Sequence, residues 1–240
     1  MAINPKGVPP ATVQRLPLYL RCLVQAQSQR LSVINSLAIA ELAGTNAAQV
    51  RKDLSFLGEY GVRGIGYEVD ALANHLVRWL GLRERRHMAV VGYGRLGSSL
   101  ATYTEFLDRG VQVCAVFDAD MDKIGRPVTD GLVVQPMSEL SAVVEREHIE
   151  IAVLTVPPDV VQDVAEEVVA AGVKALLNFA PVGLTLPDDV IVRQADMAGD
   201  LQILSYHLNP ASAIAASDLP SMDEPLIGAP IPTLPEDDRE

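Results

Sequence analysis

The 240-residue chain has no run of 18 consecutive apolar residues, although 49% of it is hydrophobic. A helix needs roughly 20 such residues to cross a bilayer. No membrane span is therefore expected, and the apolar content is available for a packed core in one large domain or two smaller ones. The opening residues, MAINPKGVPPATVQRLPLYL, hold no apolar signal core, which predicts a cytoplasmic protein. Cysteine is limited to Cys22 and Cys114, far apart in sequence. Such a pair reads as two reduced, buried thiols rather than a disulfide framework. The four histidines, at 75, 87, 148 and 207, are scattered, so with the cysteines they give no metal-ligand spacing. No Ser-His-Asp arrangement of known spacing stands out either. Catalytic and metal-binding residues are therefore left unassigned.

Positive charge is also scarce, with a formal net charge of −12. Affinity for DNA rests on cations meeting phosphates, so the total argues against it. The distribution argues the other way. Residues 1–87 hold 11 Lys and Arg against 6 Asp and Glu, a net of +5, whereas residues 88–240 hold 8 against 25, a net of −17. Asymmetry of this size predicts two domains with different partners.

In the basic part, Leu16, Tyr19, Leu20, Leu23 and Val24 recur at helical spacing within 12–27, after Pro9 and Pro10. Pro17 is tolerable only if that helix starts near it. A short second helix is predicted from an Asn35 cap to Ala43, stopped by Gly44. Thr45 or Asn46 would cap a third, from Ala47 to about Leu57. GEYGVRGIGYEV then alternates glycines with β-formers and predicts a tight hairpin. Asp70 is the expected cap of a fourth helix reaching Leu80, and LGLRERR reads as a linker.

Beyond it, short apolar runs alternate with helical stretches. Strands are predicted at 88–91, 111–117, 131–134, 149–154, 174–178 and near 190–193, with helices at about 95–108, 137–146 and 158–171. This rhythm predicts an α/β fold with a doubly wound parallel sheet. An amphipathic segment at 196–208 follows. Residues 211–240, with five prolines and seven acids against one arginine, are expected to be a disordered tail.

The strongest motif is VVGYGRLGSSL, where Gly92, Gly94 and Gly97 match G-x-G-x-x-G between a strand and a helix. Gly92 would permit the turn, Gly94 the approach of a pyrophosphate, and Gly97 close helix–sheet packing. Asp118 ends the next strand, 21 residues after Gly97, where an acid accepts ribose hydroxyls and repels a 2′-phosphate. NAD and NADH are thus expected, with coenzyme A as the second reading. LTVPPDVVQ and NFAP fall at the carboxyl ends of later strands and would line the nicotinamide half. Alternatively, their prolines merely terminate strands. No histidine falls beside these loops, so binding without turnover is expected. A small NAD-dependent oxidoreductase is the alternative.

The second and third helices fit a helix-turn-helix with the hairpin as its wing. Gln49, Arg51, Lys52 and Ser55 fall on a polar arc of the third helix, and Arg63 sits at the hairpin tip. Such groups can reach base edges, phosphates or a narrow minor groove. A merely solvated charged face is the competing reading.

Taken together, VPPATVQRLPLYLR, AAQVRKDLSFLGEYGVRGIGYEV, VVGYGRLGSSLA, FDADMDKIG, LTVPPDVVQ and LNFAP resemble the Rex family of bacterial redox-sensing repressors, in order over residues 8 to 209. The resemblance implies a winged-helix DNA-binding domain (1–85), a Rossmann NAD(H)-binding domain (86–195) and a helix exchanged between the subunits of a homodimer (196–209). The tail, 210–240, has no match. It implies release of palindromic operator DNA by NADH, and so control of respiratory and fermentative genes. At matched positions it implies DNA contact by Gln49, Arg51, Lys52, Ser55, Arg63, Gly64 and Tyr67. It implies cofactor contact by Gly92, Tyr93, Gly94, Arg95, Leu96, Gly97, Asp118, Val156, Pro157, Asn178, Phe179, Ala180 and Pro181. It further implies a switch in which Asp196 bonds Tyr103 in one state and Arg21 in the other. NADH, lacking the pyridinium charge, would enter an apolar pocket near Pro157 and Phe179 more deeply than NAD⁺.

Overall fold

The computed structural model describes residues 7–58, 60–62, 64–129 and 131–208. Arg63, Asn209 and the acidic tail lie outside the described residues.

Helix α1 (Pro10–Ser28) opens on a proline, whose fixed φ suits a first helical position. Pro17 is well inside this helix rather than near its start. It withholds the amide that the Val13 carbonyl would accept, but both residues are exposed, so water can serve that carbonyl. Strand β1 (Val33–Ile34) leads into α2 (Ser36–Ala43). Asn35 caps α2 by accepting the Ala38 amide at 2.9 Å, and Gly44 closes it at φ 64°. Asn46 caps α3 (Ala47–Ser55) in the same way, accepting the Gln49 amide at 2.8 Å. The wing is the hairpin of β2 (Gly61–Val62) and β3 (Gly66–Glu68). On its other side β3 pairs with β1, a two-residue strand too short for alternation to reveal in sequence. Helix α4 (Val69–Trp79) follows without a break. Asp70 does not cap it. It lies in the first turn, where its Oδ1 accepts the Gln27 side-chain amide at 2.7 Å. Leu16, Leu23, Ile39, Leu54, Leu72 and Leu76 form the core of this part.

The second half runs β4 (Arg86–Val91), α5 (Arg95–Ala101), α6 (Glu105–Asp108), β5 (Val111–Asp118), β6 (Pro127–Thr129) and β7 (Leu132–Pro136). A 3₁₀ turn at Met137–Glu139 then leads to α7 (Leu140–Glu147), β8 (Ile151–Leu154), α8 (Val161–Ala170), β9 (Ala175–Asn178) and β10 (Ile191–Gln194). The strands form one sheet in the order β10-β9-β8-β4-β5-β7-β6, parallel except for β6 at the edge. Central β4 is apolar on both sides, as a sheet covered on both faces requires. Ala89 and Val91 pack with Leu140, Val143, Val161 and Ala165 of α7 and α8. Met88 and Val90 pack with Ala101 and Phe106, from α5 and α6.

The second half departs from expectation in two places. The helix at 95–108 is broken at 102–104, because Thr102 turns its hydroxyl back onto the Ser98 and Ser99 carbonyls, both at 3.2 Å. Such hydroxyls compete with the helical ladder. Strand β6 was not foreseen, since three residues around a proline carry no periodic signal.

Helix α9 (Met197–Leu208) belongs to a second compact unit that begins at Asp196. Asp196 caps it, accepting the Gly199 amide at 2.8 Å. Met197, Leu201, Leu204 and Leu208 recur along it and are exposed. Among the described residues no helix is long and apolar enough to cross a membrane.

The wing supplies a graded stability test. Gly66 has φ +117°, and a Cβ there would lie 2.5 Å from the Ile34 carbonyl oxygen of β1. Gly64 has φ +82° and open space around it. We expect Gly64→Ala to cost roughly 1 kcal/mol from backbone strain alone, and Gly66→Ala roughly 3 kcal/mol from strain and clash together. Urea unfolding followed by the fluorescence of Trp79, the single tryptophan, measures both. Equal losses would remove the β1–β3 contact as the constraint on Gly66.

Candidate functional site

Chain order in the sheet moves from β4 to β5 and β7 on one side, then returns to β8 on the other. The carboxyl ends of β4 and β8 flank this reversal, where open α/β sheets hold their ligands. Gly92 follows β4 at φ +99°, and a Cβ there would lie 2.9 Å from the Thr155 backbone beyond β8. Gly97 is tighter, since a Cβ would overlap the Gly92 carbonyl oxygen at 1.8 Å. Thr155, which the motif did not reveal, locks the turn by donating its hydroxyl to the Gly92 carbonyl at 2.7 Å. Gly94 is different in kind. A Cβ there would meet nothing within 4 Å, so a side chain would project into the cleft and bar a ligand from the backbone. The three glycines thus have separate reasons, and that of Gly94 points to a ligand. The cleft holds about 850 Å³ and is lined by Gly92, Gly94, Asp118, Lys123, Val156 and Pro157 among others. That volume suits a cofactor site. These residues fit the adenosine and pyrophosphate end of a nicotinamide dinucleotide.

Asp118 is buried at the end of β5. Its Oδ2 accepts the Tyr93 amide at 2.6 Å and the Lys123 ammonium at 3.0 Å, and its Oδ1 accepts the Asp120 amide at 2.8 Å. Burial works against its charge, but these three donors outweigh burial and hold the carboxyl below its usual range. It is therefore ionised at neutral pH, as an acceptor for ribose must be.

The structure does not gather the other predicted cofactor residues into this cleft. Arg95 and Leu96 are exposed in the first turn of α5. Asn178 is fully buried and engaged within the protein. Its Nδ2 donates to the Val182 carbonyl and to Gln194 Oε1, both at 2.9 Å, and its Oδ1 accepts the Ala180 amide. It shapes the 179–182 loop and is not available to a ligand. Ala180 is buried with the α7–α8 core, and Pro181 is exposed. Phe179 and Tyr93 pack against the core under α5, on the face opposite the cores that Val156 joins. Val156 and Phe179 thus join cores on opposite faces of the sheet. None of the four histidines lines the cleft.

On the N-terminal side, Arg51, Lys52 and Ser55 are exposed on α3. Arg51 reaches back to α2, donating to the Ser36 hydroxyl at 3.0 Å, and borders a groove with Val62, Gly64 and Ile65 of the wing. Gly64 is exposed at the wing tip, while Arg63 lies outside the described residues. Two predicted contact residues are engaged within the fold. Tyr67 is largely buried in the core, with its ring filling the space a Gly61 side chain would need, and it reaches the floor of the same groove as Arg51. Gln49 turns its amide inward, donating to Asp53 Oδ1 at 2.8 Å.

Asp53 is the residue that sequence reasoning missed. It falls among the apolar positions Val50, Leu54 and Leu57, and that misplacement is the signal which could have found it. Its side chain is 0% exposed. Oδ1 accepts Thr12 Oγ1 at 2.8 Å, Arg15 Nη2 at 2.8 Å and Gln49 Nε2, while Oδ2 accepts Arg15 Nε at 2.6 Å and Tyr19 Oη at 2.7 Å. Burial would raise its pKa, but the Arg15, Tyr19, Thr12 and Gln49 donors hold it well below the carboxylate range. Burial and the neighbouring carboxylate push the Tyr19 phenol up in turn. Of the proposed switch residues, Arg21 and Tyr103 are exposed, Tyr103 stacking edge-on to Phe106 at 5.0 Å.

Comparisons with known proteins agree with this two-part construction. A family model described as Putative DNA-binding protein N-terminus matches residues 7–55, and one described as CoA binding domain matches residues 83–182. A protein of Desulforamulus reducens named Redox-sensing transcriptional repressor Rex is 45% identical over 201 residues, covering 84% of this chain and 95% of the relative. A Rex of Streptomyces griseus is 44% identical over 86% of this chain and 81% of the relative. Among solved structures, RSP in complex with beta-NAD+ and operator DNA matches with a TM-score of 0.81 and 33% identity, covering 86% of this chain and 95% of that one. RSP in complex with beta-NADH matches with a TM-score of 0.79 and the same identity, covering 87% and 97%.

The Asp53 cluster predicts a pH dependence. A depressed carboxyl pKa contributes stability that is fully present above the unfolded value of about 3.9 and is lost as pH falls through the folded value. Asp53→Asn should destabilise the N-terminal domain by roughly 3 kcal/mol at pH 7, because it leaves the Arg15 guanidinium without its carboxylate. The gap to wild type should hold down to about pH 5 and narrow below it, as the carboxyl of the unfolded chain takes up a proton while that of the native state stays ionised. Urea unfolding at pH 7, 5 and 3, read by Trp79 fluorescence, checks this. A gap of constant size would mean that the Asp53 charge is not what matters.

Proposed function

The chain belongs to the Rex family of redox-sensing transcriptional repressors, and on that premise we propose that it binds operator DNA and lets go when NADH enters its Rossmann cleft. The observation that carries the reading is the pairing, in one chain, of an exposed Arg51–Lys52 helix face beside a wing with a cleft left open at Gly94 and closed by an ionised Asp118. The backbone from Gly92 to Gly97 takes the pyrophosphate, Asp118 takes the adenosine ribose, and Val156 and Pro157 form the wall beyond. Arg51, Lys52 and Ser55 meet the DNA, together with Arg63 at the wing.

As a cytoplasmic homodimer, the protein sets two such faces against a palindrome, with half-sites about 34 Å apart on B-DNA. A ligand shifts this arrangement only by binding one state more tightly than the other. NADH and NAD⁺ must therefore differ in that respect. Asp196 of one subunit, exchanging between Tyr103 and Arg21, is the proposed bistable element. The reading is of a sensor in which the dinucleotide is read without turnover. Coenzyme A is a second ligand reading, favoured by the description of the model on residues 83–182. Its ribose also carries a phosphate, which Asp118 disfavours.

Palindromic duplexes selected by the protein itself serve as the operator. Titrated at fixed total dinucleotide, release should follow the NADH/NAD⁺ ratio, and coenzyme A should neither displace NADH nor cause release. Release that tracks total dinucleotide would overturn the reading. The Arg51→Ala/Lys52→Ala variant should lose operator binding and keep NADH binding. If one of the two cations meets phosphate, the slope of log affinity against log salt should fall by about 1. Undiminished operator affinity at physiological salt would remove these residues from the interface.

A further inference from the structure

Lys123 is the only cation among the described residues that line the cleft, whose other charges are Asp118, Asp120, Asp163 and Glu167. It sits on the turn after β5, three-quarters buried, with its ammonium 3.0 Å from Asp118 Oδ2 and 3.6 Å from Asp120 Oδ2. An ionised carboxylate offers about four acceptor positions. On Asp118, the Tyr93 amide and Lys123 fill those of Oδ2, and the Asp120 amide fills one on Oδ1. About one position remains for a ribose hydroxyl, where an unencumbered acid would present more.

The electrostatic consequence runs the same way. An acid at this position rejects a 2′-phosphate by like-charge repulsion. A cation in contact with the acid cancels much of that repulsion and gives the phosphate a partner of its own. We propose that Lys123 is a specificity-determining residue, one that limits how strongly the cleft prefers NADH over NADPH. It does so by neutralising Asp118 and by occupying an acceptor that the ribose would use. This inference rests on the dinucleotide reading of the cleft.

The test is calorimetric titration of the full chain with NADH and with NADPH, for wild type, Lys123→Met and Lys123→Arg. The methionine keeps the length of the stem and removes the charge. Its ratio of NADPH to NADH dissociation constants should rise by about tenfold, the scale of one charge contact at a partly buried site. Lys123→Arg should stay near the wild-type ratio. An unchanged ratio in the methionine variant overturns the proposal. So does a falling ratio with weakened NADH binding, since Lys123 would then serve only to align Asp118. If wild type binds neither dinucleotide, the reading of the cleft fails instead, and the two failures are told apart in one experiment.

Discussion

A carboxylate removed from water loses several kcal/mol of solvation unless donors replace the water. Asp53 meets this requirement with side chains from two helices, Thr12, Arg15 and Tyr19 on α1 and Gln49 on α3 itself. Apolar contact between α1 and α3 would tolerate a range of crossing angles. Five short hydrogen bonds to two oxygens do not. The carboxylate therefore fixes the rotation of α3 about its own axis. Rotation decides which side chains face outward, and Arg51 and Lys52 face outward because Asp53 faces in.

The Rossmann half applies the same logic with different chemistry. There the constraint is the absence of side chains. Gly92 and Gly97 let the β4 turn, the β8 end and α5 approach within distances that no Cβ permits, and Thr155 ties the β8 end to the β4 turn. Only after that closure does Gly94 face an open cleft and Asp118 stand across from it. Each half thus has a hidden scaffold residue that positions the candidate functional ones. Mutational loss of function at Asp53 or Thr155 would mimic loss of a contact residue. Reading such a variant correctly requires a stability measurement beside the binding one.

The parts of the molecule legible in sequence were those set by local physics. Asn35, Gly44 and Asn46 bound their helices as cap chemistry demands, and the parallel strands announced themselves as apolar runs buried on both faces. The glycine motif with its distant acid was legible because backbone geometry fixes its spacing. What failed was inference about where a side chain points. Tyr67 and Gln49 occupy positions next to contact residues, yet one fills the core and the other serves Asp53. Asn178 sits at a strand end facing a ligand crevice in sequence terms, but its amide is consumed by Val182, Ala180 and Gln194. Long-range partners decide such orientations, and a pattern of period 2 or 3.6 carries no information about them. Lys123 was overlooked for the same reason, since nothing in FDADMDKIG says that its ammonium folds back five residues.

Charge distribution sets the two halves apart. Residues 88–240 carry a net of −17 and residues 1–87 a net of +5. DNA attracts cations through counterion release, an effect blind to base sequence. A chain basic throughout would therefore bind DNA in many orientations, most of them useless for a switch. With the acidic excess confined to the ligand-binding and C-terminal parts, only the winged helix is attracted to the phosphates. Non-specific affinity is lowered and approach is oriented. A repressor released by a ligand needs this partition, because a ligand cannot release a protein that the DNA holds by its whole surface.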